Sequence, residues 1–291
     1  MRKTDVNTLS FGVEIECTIP YDTLTARGWR IGGYHRGVAI PGHQGWTAES
    51  DASIQPSRSH VACEVVSPVM SGLAGLRSIE QMIETLNVMG AAVNRSTGFH
   101  VNIGWTGNPD QLRRLVCLVA HFERALFAST GTTSRDANHY CSSIALDYRG
   151  FEGGQVDPAR FSRYHVINLQ HVNEMGRGRR VEFRVFAGTL NIVKILAYVQ
   201  LCLGLVCRAL DNSRALPFDI AAIARKRSAT AGDGQFAMST LLHHLVWRAK
   251  TPPNGRTPVG VIDPSRMREL IKMLRKMAKQ YDKRRRTGGA E

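Results

Sequence analysis

The chain has no Walker A loop, the Gly-rich turn ending in Lys-Ser/Thr that cradles phosphates, so it is not a P-loop protein. H-E-x-x-H, a G-x-S-x-G elbow and a G-x-G-x-x-G turn after a strand are also missing, which removes zincin, α/β-hydrolase and Rossmann chemistry. The six cysteines (Cys17, Cys63, Cys117, Cys141, Cys202, Cys207) form no C-x-x-C pair and no zinc-finger spacing. Most sit in apolar runs, where a thiol acts as a small hydrophobe, and a reducing compartment is expected. The apolar run from Ile195 to Cys207 is shorter than the roughly 20 residues that span a bilayer. The first ten residues are polar and lack the apolar core of a signal peptide, so a cytoplasmic protein with no membrane partner is expected. There is no internal repeat.

What is present is 291 residues, 43% hydrophobic and 21% charged, enough to bury a sizeable core and too apolar for disorder. Lys and Arg number 38 against 24 Asp and Glu, a net charge of +14, which suits a polyanionic partner or an acidic substrate. The excess is uneven. Ten basic residues against two acidic ones fall between Arg266 and Arg286, leaving the body only mildly basic.

Phe11-Gly-Val-Glu-Ile-Glu-Cys-Thr alternates strictly, with Phe11, Val13, Ile15 and Cys17 on one face and Glu14 and Glu16 on the other, which predicts a strand. Residues 27–45 read as a loop, Trp46 to Ile54 as a short segment carrying Asp51, and Cys63 to Pro68 as a short strand carrying Glu64. Leu76, Ile79, Ile83 and Leu86 recur at helical spacing before Gly90. Gly98 to Trp105 alternates again, placing His100 and Asn102 opposite Phe99, Val101 and Ile103. Asn108-Pro109 opens a helix that ends near Gly131, and Asn191 caps another to about Leu210. Tyr164–Gln170 and Arg180–Phe186 read as an antiparallel hairpin, the second strand carrying Glu182 and Arg184. Further helices are expected near 214–227 and 238–249, and a last one after Asp263-Pro264 with the stripe Met267, Leu270, Ile271, Leu274 and Met277. Three units follow: a body over 1–250, a Pro/Gly linker over 251–262 and a basic helix and tail over 263–291. The class is α+β with an antiparallel sheet.

Any one of these polar strand faces reads as the solvated side of a sheet. Together they are unusual, because they carry mainly Glu, with one His, one Asn and one Arg, in place of the Lys, Thr, Ser and Gln of a solvent face. Carboxylates held together repel unless a cation sits among them, and hard divalent cations prefer carboxylate oxygens and phosphates. The pattern suits a Mg–nucleotide site.

Phe11-Gly-Val-Glu-Ile-Glu, Asp51-Ala-Ser-Ile, Glu64-Val-Val-Ser-Pro, Gly98-Phe-His-Val-Asn-Ile-Gly, Arg163-Tyr with Asn168, and Val181-Glu-Phe-Arg-Val-Phe-Ala-Gly-Thr-Leu-Asn arrive in one order over about residues 11–210. In this the chain resembles the amidoligase family of the glutamine synthetase and glutamate–cysteine ligase superfamily of carboxylate–amine ligases. The resemblance implies a curved antiparallel β-sheet funnel, the glutamine synthetase-like catalytic fold, with helices on its outer face. It implies an enzyme that uses ATP as co-substrate and two or more Mg²⁺ ions, with Mn²⁺ as an alternative. A substrate carboxylate would become an acyl phosphate, which an amine would convert to an amide. Glu16 and Glu64 would hold one metal, and Glu14, His100 and Glu182 the metal that bridges ATP phosphates. Arg184 would contact the transferring phosphoryl group. Asp51, Asn102, Arg163 and Asn168 would be nucleotide or substrate contacts. Asn102 departs from the His-x-His found in relatives. The acid and amine could include amino acids, polyamines, peptidoglycan fragments, peptides or proteins. Two other readings stand beside this one: a non-catalytic nucleic-acid-binding protein using the basic tail with Arg177, Arg179 and Arg180, and an amide hydrolase or phosphotransferase on the same fold. The segment from 280 onward reads as a solvated tail that the chemistry does not need.

Overall fold

The computed structural model describes residues 4–136, 138–144, 156–174, 178–211, 233–248 and 257–288. Apart from short 3-10 turns, its elements in chain order are β1 (Ser10–Pro20), α1 (Tyr21–Ala26), β2 (Val38–Ala39), β3 (Thr47–Glu49), β4 (His60–Val66), β5 (Met70–Ser71), α2 (Gly72–Val88), β6 (Gly98–Gly104), α3 (Pro109–Ser129), β7 (Ile167–Asn168), β8 (Arg180–Ala187), α4 (Ile192–Leu210), α5 (Gly234–His244) and α6 (Met267–Arg286).

The strands form one antiparallel sheet in the order β2-β3-β4-β1-β6-β8-β7, with β5 added to β1. Alternation along β1 buries Phe11, Val13, Ile15, Cys17 and Ile19 on one face, joined there by Phe99, Val101 and Ile103 of β6 and Val181 and Phe183 of β8. Helices α2, α3 and α4 pack against this face, and α5 and α6 form a further layer on α3 and α4. The α+β class with helices on one side of an antiparallel sheet is thus the observed one. The other face carries the carboxylates.

That face is curled. Gly32 bridges to Glu49 at one edge of the sheet, and His165 lies next to the other edge, bridged to Ser142. Two residues from each anchor, Tyr34 Oη accepts a hydrogen bond from Arg163 Nη2 at 2.9 Å. Strands about 4.8 Å apart would leave the two edges of so wide a sheet far from each other if it were flat, so this link draws the edges over the carboxylate face.

Local signals set most boundaries. Asn108 and Gln111 form a capping box with Pro109 in the first turn of α3, and Asn191 Oδ1 accepts from Lys194 N to start α4. Helix α4 is the one described helix long and apolar enough to cross a membrane, and 78% of that stretch is buried inside the protein. The hairpin is shorter than expected: Val166 N donates to Ser142 O and Ser142 N to Tyr164 O, so beside the Ile167 and Asn168 pairs only Val166 O, accepting from Arg184 N, reaches β8. The helix expected near 238–249 runs over Gly234–His244. It begins early because Asp233 caps it and the Asp282 carboxylate of α6 accepts from Gly234 N at 2.6 Å. It stops where Val246 adopts a left-handed backbone, with φ of 61°. The stretch expected near 214–227 lies outside the described residues, as do 251–256 of the 251–262 segment.

The rest of that segment is packed. Val259 N donates to Leu245 O, Trp247 Nε1 to Val259 O, and Ile262 N to Gln200 Oε1. Gly260 has φ of 75°, and a Cβ there would lie 2.1 Å from Gly204 N of α4. The chain therefore crosses α4 backbone to backbone, and Met267, Leu270, Ile271, Leu274, Ala278 and Tyr281 of α6 are buried beyond it. Gly260→Ala should cost about 2–4 kcal/mol in denaturant unfolding, from left-handed strain plus overlap. Gly28→Ala, with φ of 66° and no atom within 4 Å of the added carbon, should cost only about 1 kcal/mol. Equal effects at the two positions would contradict the seating of this segment on α4.

Candidate active site

The sheet register assembles the polar face. Glu49 of β3 lies opposite Glu64 of β4, and Glu64 opposite Glu16 of β1. Glu14 lies opposite His100 of β6, Asn102 opposite Glu182 of β8, and Glu182 opposite Asn168 of β7. The result is a continuous row across six strands. Glu16, Glu49, Glu64, His100, Asn168 and Glu182 are each no more than 7% exposed.

His100 is the centre of this row. Its Nδ1 is 3.0 Å from Glu14 Oε2 and 3.5 Å from Glu182 Oε1, and its Nε2 is 3.3 Å from Glu16 Oε1. Two sets of donor atoms gather within 4.8 Å of one another: Glu14 with His100 and Glu182, and Glu16 with Glu64 and His100. The ligand residues expected from the sequence are therefore together in space. Gly98 N donates to Glu16 Oε2 at 2.6 Å, fixing that carboxylate. Asn102 Nδ2 donates to Glu14 Oε1 at 2.8 Å while its Oδ1 accepts from Arg180 Nε at 3.2 Å. Asn102 thus joins a carboxylate to a guanidinium. Asn168 Nδ2 holds Glu182 Oε2 at 2.8 Å, which makes it a positioning group.

Strand β8 gains one residue against β6: Val101 pairs with Phe183, but Phe99 pairs with Phe186. The bulge lets Val185 and Phe186 both turn inward while Arg184 keeps to the carboxylate face. There Arg184 Nη1 hydrogen-bonds Glu182 Oε1, and Arg184 Nε reaches Tyr140 O at 3.5 Å.

Asp51 and Arg163 are not in the row. Asp51 Oδ1 accepts from Ser53 N at 2.7 Å in a local turn, although its charge reaches Glu64. Arg163 bonds Tyr34 and lies over the Tyr164 ring, 5.3 Å from its centroid, outside the carboxylate cluster. Two residues that the sequence reading passed over belong here. Glu49 extends the row beyond Glu64, but its strand is three residues long, too short for alternation to reveal. Arg135 comes from the loop after α3 and has no periodic neighbours to mark it.

The electrostatics are those of a site with too much negative charge. Burial raises the Glu64 carboxyl, and the charges of Glu14, Glu16, Asp51 and Glu49 push it further, to about 10. Burial acts in the same direction on Glu14, but the hydrogen bond and charge of His100, with Asn102 and Arg184, outweigh it and bring Glu14 down to about 2. A carboxyl that stays protonated at neutral pH amid four other carboxylates fits a centre designed around a cation. Oxygen donors with one imidazole suit Mg²⁺ or Mn²⁺.

Beside Glu14 and Asn102 a cavity of about 390 Å³ opens, lined also by Gly12, Ser67, Gly104 and Arg180, and so at the size of a small-molecule site.

These shifts set a pH dependence. Without metal, native Glu64 keeps a proton that the unfolded chain releases above about 4.5, so its contribution to stability is lost as pH rises toward 10. Glu14 works in the opposite sense, stabilising above about 4.5 and losing that contribution as pH falls toward 2. Glu64→Gln should raise the metal-free melting temperature at pH 8 and reduce the further rise caused by Mn²⁺. Thermal scans with and without Mn²⁺ check this. A lower metal-free Tm with an undiminished Mn²⁺ response would contradict the assignment.

Two solved structures resemble the chain weakly. The crystal structure of the complex between Prokaryotic Ubiquitin-like Protein Pup and its ligase PafA aligns with a TM-score of 0.45 at 14% identity, covering 98% of this chain and 65% of that one. A GmaS/ADP complex aligns with a TM-score of 0.41 at 10% identity, covering 96% of this chain and 70% of that one. This chain therefore spans less than two thirds of the first of these proteins. No curated protein matches it in sequence. A family model does: the family described as "Putative amidoligase enzyme" matches residues 7–159, over half the chain and the part that carries Glu14, Glu16, Glu49, Glu64 and His100. By that match the chain belongs to the amidoligase family.

Proposed function

We propose that this protein is an ATP- and Mg²⁺-dependent carboxylate–amine ligase that forms an amide through an acyl phosphate. The observation that carries the reading is the buried carboxylate row centred on His100, with Glu64 held protonated by its burial and by the charges of its neighbours. Family membership supports the same reading.

The residues divide by place. Glu14, Glu182 and His100 Nδ1 would hold one divalent cation next to the 390 Å³ cavity, where the nucleotide would enter. Glu16 and Glu64, with Glu49 behind them and His100 Nε2 beside them, would hold a second. Bound there, the cations supply charge neutralisation for phosphoryl transfer, which depends on positioning and electrostatics more than on covalent help. Arg184 stands at the junction and contacts the transferring phosphoryl group; Glu182 holds its guanidinium in place. Asn102 and Asn168 orient Glu14 and Glu182. A substrate carboxylate oxygen attacks the γ-phosphorus and ADP leaves. An amine nitrogen then attacks the acyl carbon, phosphate leaves, and the nitrogen gives up a proton. Asp51 acts at a distance by adding negative charge beside Glu64, and Arg163 contacts substrate at the rim.

None of the six buried cysteines is in a disulfide, as suits a cytoplasmic enzyme. The nucleic-acid reading loses ground. Arg179 is spent on Val172 O and Gly107 O, and Arg180 on Asn102, Glu174 and Gly178, while Arg177 lies outside the described residues.

The test begins without a substrate. At about 100 times Kd, ATP with Mg²⁺ should stabilise the protein by roughly 2.7 kcal/mol, a shift of several degrees, and a chelator should remove it. Glu182→Gln and Glu16→Gln should each weaken the shift and abolish turnover. A screen of acid–amine pairs should then release ADP in proportion to amide formed. ADP release without amide would make the protein a phosphotransferase or ATPase, and amide cleavage without ATP would make it a hydrolase. No Mg–ATP shift would end the ligase reading.

A further inference from the structure

The Gly131–Asp136 loop carries an arginine into the site. Arg135 is 4% exposed. Its Nη2 donates to the backbone O of Arg184 at 2.7 Å, and its buried Nε has no hydrogen-bond partner. A Cβ placed on Gly98 would lie 3.3 Å from Arg135 Nη2, 3.1 Å from His100 Nε2 and 3.4 Å from Glu16 Oε1. Glycine at this position therefore leaves open the space in which a guanidinium, an imidazole and a carboxylate meet. Along β6 this is the opposite end from Asn102 and Gly104, which border the cavity. A nucleotide in the cavity would place its reacting phosphate toward His100, and Arg135 faces that point from the far side.

The loop is held from behind by α6. Arg284 Nη1 donates to Gly131 O at 2.7 Å, and Tyr281 Oη donates to Asp136 Oδ2 at 2.6 Å. Arg285 Nε lies 3.8 Å from the same Asp136 oxygen, and Arg124 Nη1 3.5 Å from it. Lys194 Nζ of α4 donates to Thr130 O at 3.1 Å just before the loop. Each end of the loop is thus tied to the last turns of the C-terminal helix, whose basic residues had looked like a solvated tail.

We propose that Arg135 binds an oxyanion of the acid substrate, either its carboxylate or the phosphoryl group it receives, and that Tyr281 and Arg284 are positioning residues that hold Arg135 there. This rests on the ligase reading for the identity of the anion, whereas the bracing of the loop stands on its own. A buried guanidinium whose Nε has no partner, and whose Nη2 borders the space beside His100 Nε2 and Glu16 Oε1, is set for a charge-assisted bond to a planar or tetrahedral oxyanion. Removal of residues 280–291 would then impair the chemistry, contrary to the reading of this segment from sequence.

The test uses the full chain, Mg–ADP, and two probes, inorganic phosphate and acetate, with binding read by calorimetry. In Arg135→Ala, Mg–ADP affinity should stay within about 2-fold of wild type while anion affinity in the presence of Mg–ADP falls at least 10-fold. Arg135→Lys should recover part of the loss. Whichever of phosphate or acetate depends on Arg135 identifies the group it holds. Tyr281→Phe with Arg284→Ala should lower anion affinity several-fold and speed amide hydrogen exchange at 131–136 without changing exchange in β1 and β6. Unchanged anion binding in Arg135→Ala, or a wild type that binds neither anion beside Mg–ADP, would overturn the anion role. Unchanged exchange at 131–136 in the double variant would overturn the brace. If wild type bound no Mg–ADP, the ligase reading would fail, and exchange alone would still decide the brace.

Discussion

The repulsion among carboxylates that strand register places side by side is the constraint on which the rest of the structure turns. Glu16, Glu49 and Glu64 come from three adjacent strands, and Glu14, on β1 with Glu16, and Glu182 of β8 approach the same imidazole. Left to themselves they would separate or take up protons, and burial together with these neighbouring charges raises the Glu64 carboxyl accordingly. What prevents separation is the opposite face. A one-residue slip of β1 would send Phe11, Val13, Ile15, Cys17 and Ile19 to the polar side and the glutamates into the helix layer, and burial of so much apolar surface forbids it. The core thus sets the charge arrangement, at a cost in local stability that a cation bound there would relieve.

The helices do more than cover the sheet. Helices α3 and α4 support β6 and β8 directly, and α6 supports the loop between α3 and the open face. The acidic half of the site comes from strands, which hold it rigidly. The cationic half comes from a strand bulge at Arg184 and a braced loop at Arg135. The groups proposed to meet the substrate are therefore mounted on less regular backbone than those proposed to meet the metal, and each has a specific tether in place of a ladder of hydrogen bonds.

The parts of this arrangement that could be read in sequence are those with a local signal. Alternation in β1, β6 and β8 revealed the two faces and with them Glu14, Glu16, His100 and Glu182; Asn108-Pro109 and Asn191 marked helix starts through capping chemistry. The parts that could not be read depend on distant partners. Glu49 acquires its role from pairing with Glu64, Arg135 from a loop braced by α6, and the start of α5 from Asp282 nearly fifty residues later. The Pro/Gly content around 251–262 suggested a linker, and the contact of Gly260 with Gly204 packs its described part on α4, a seating that composition does not reveal. Arg163 looked like a ligand contact because it lies in a motif, and the structure places it on Tyr34 at the rim.

The most direct measurement is a titration of metal-free protein with Mn²⁺, followed by electron paramagnetic resonance. The account predicts two ions per chain, close enough to couple magnetically, because both donor sets gather around the same His100 ring. His100→Ala should abolish the coupling and weaken both ions. Weak binding of scattered, uncoupled ions that ignore His100 would mean that the carboxylate row is a polar sheet face and not a binuclear centre.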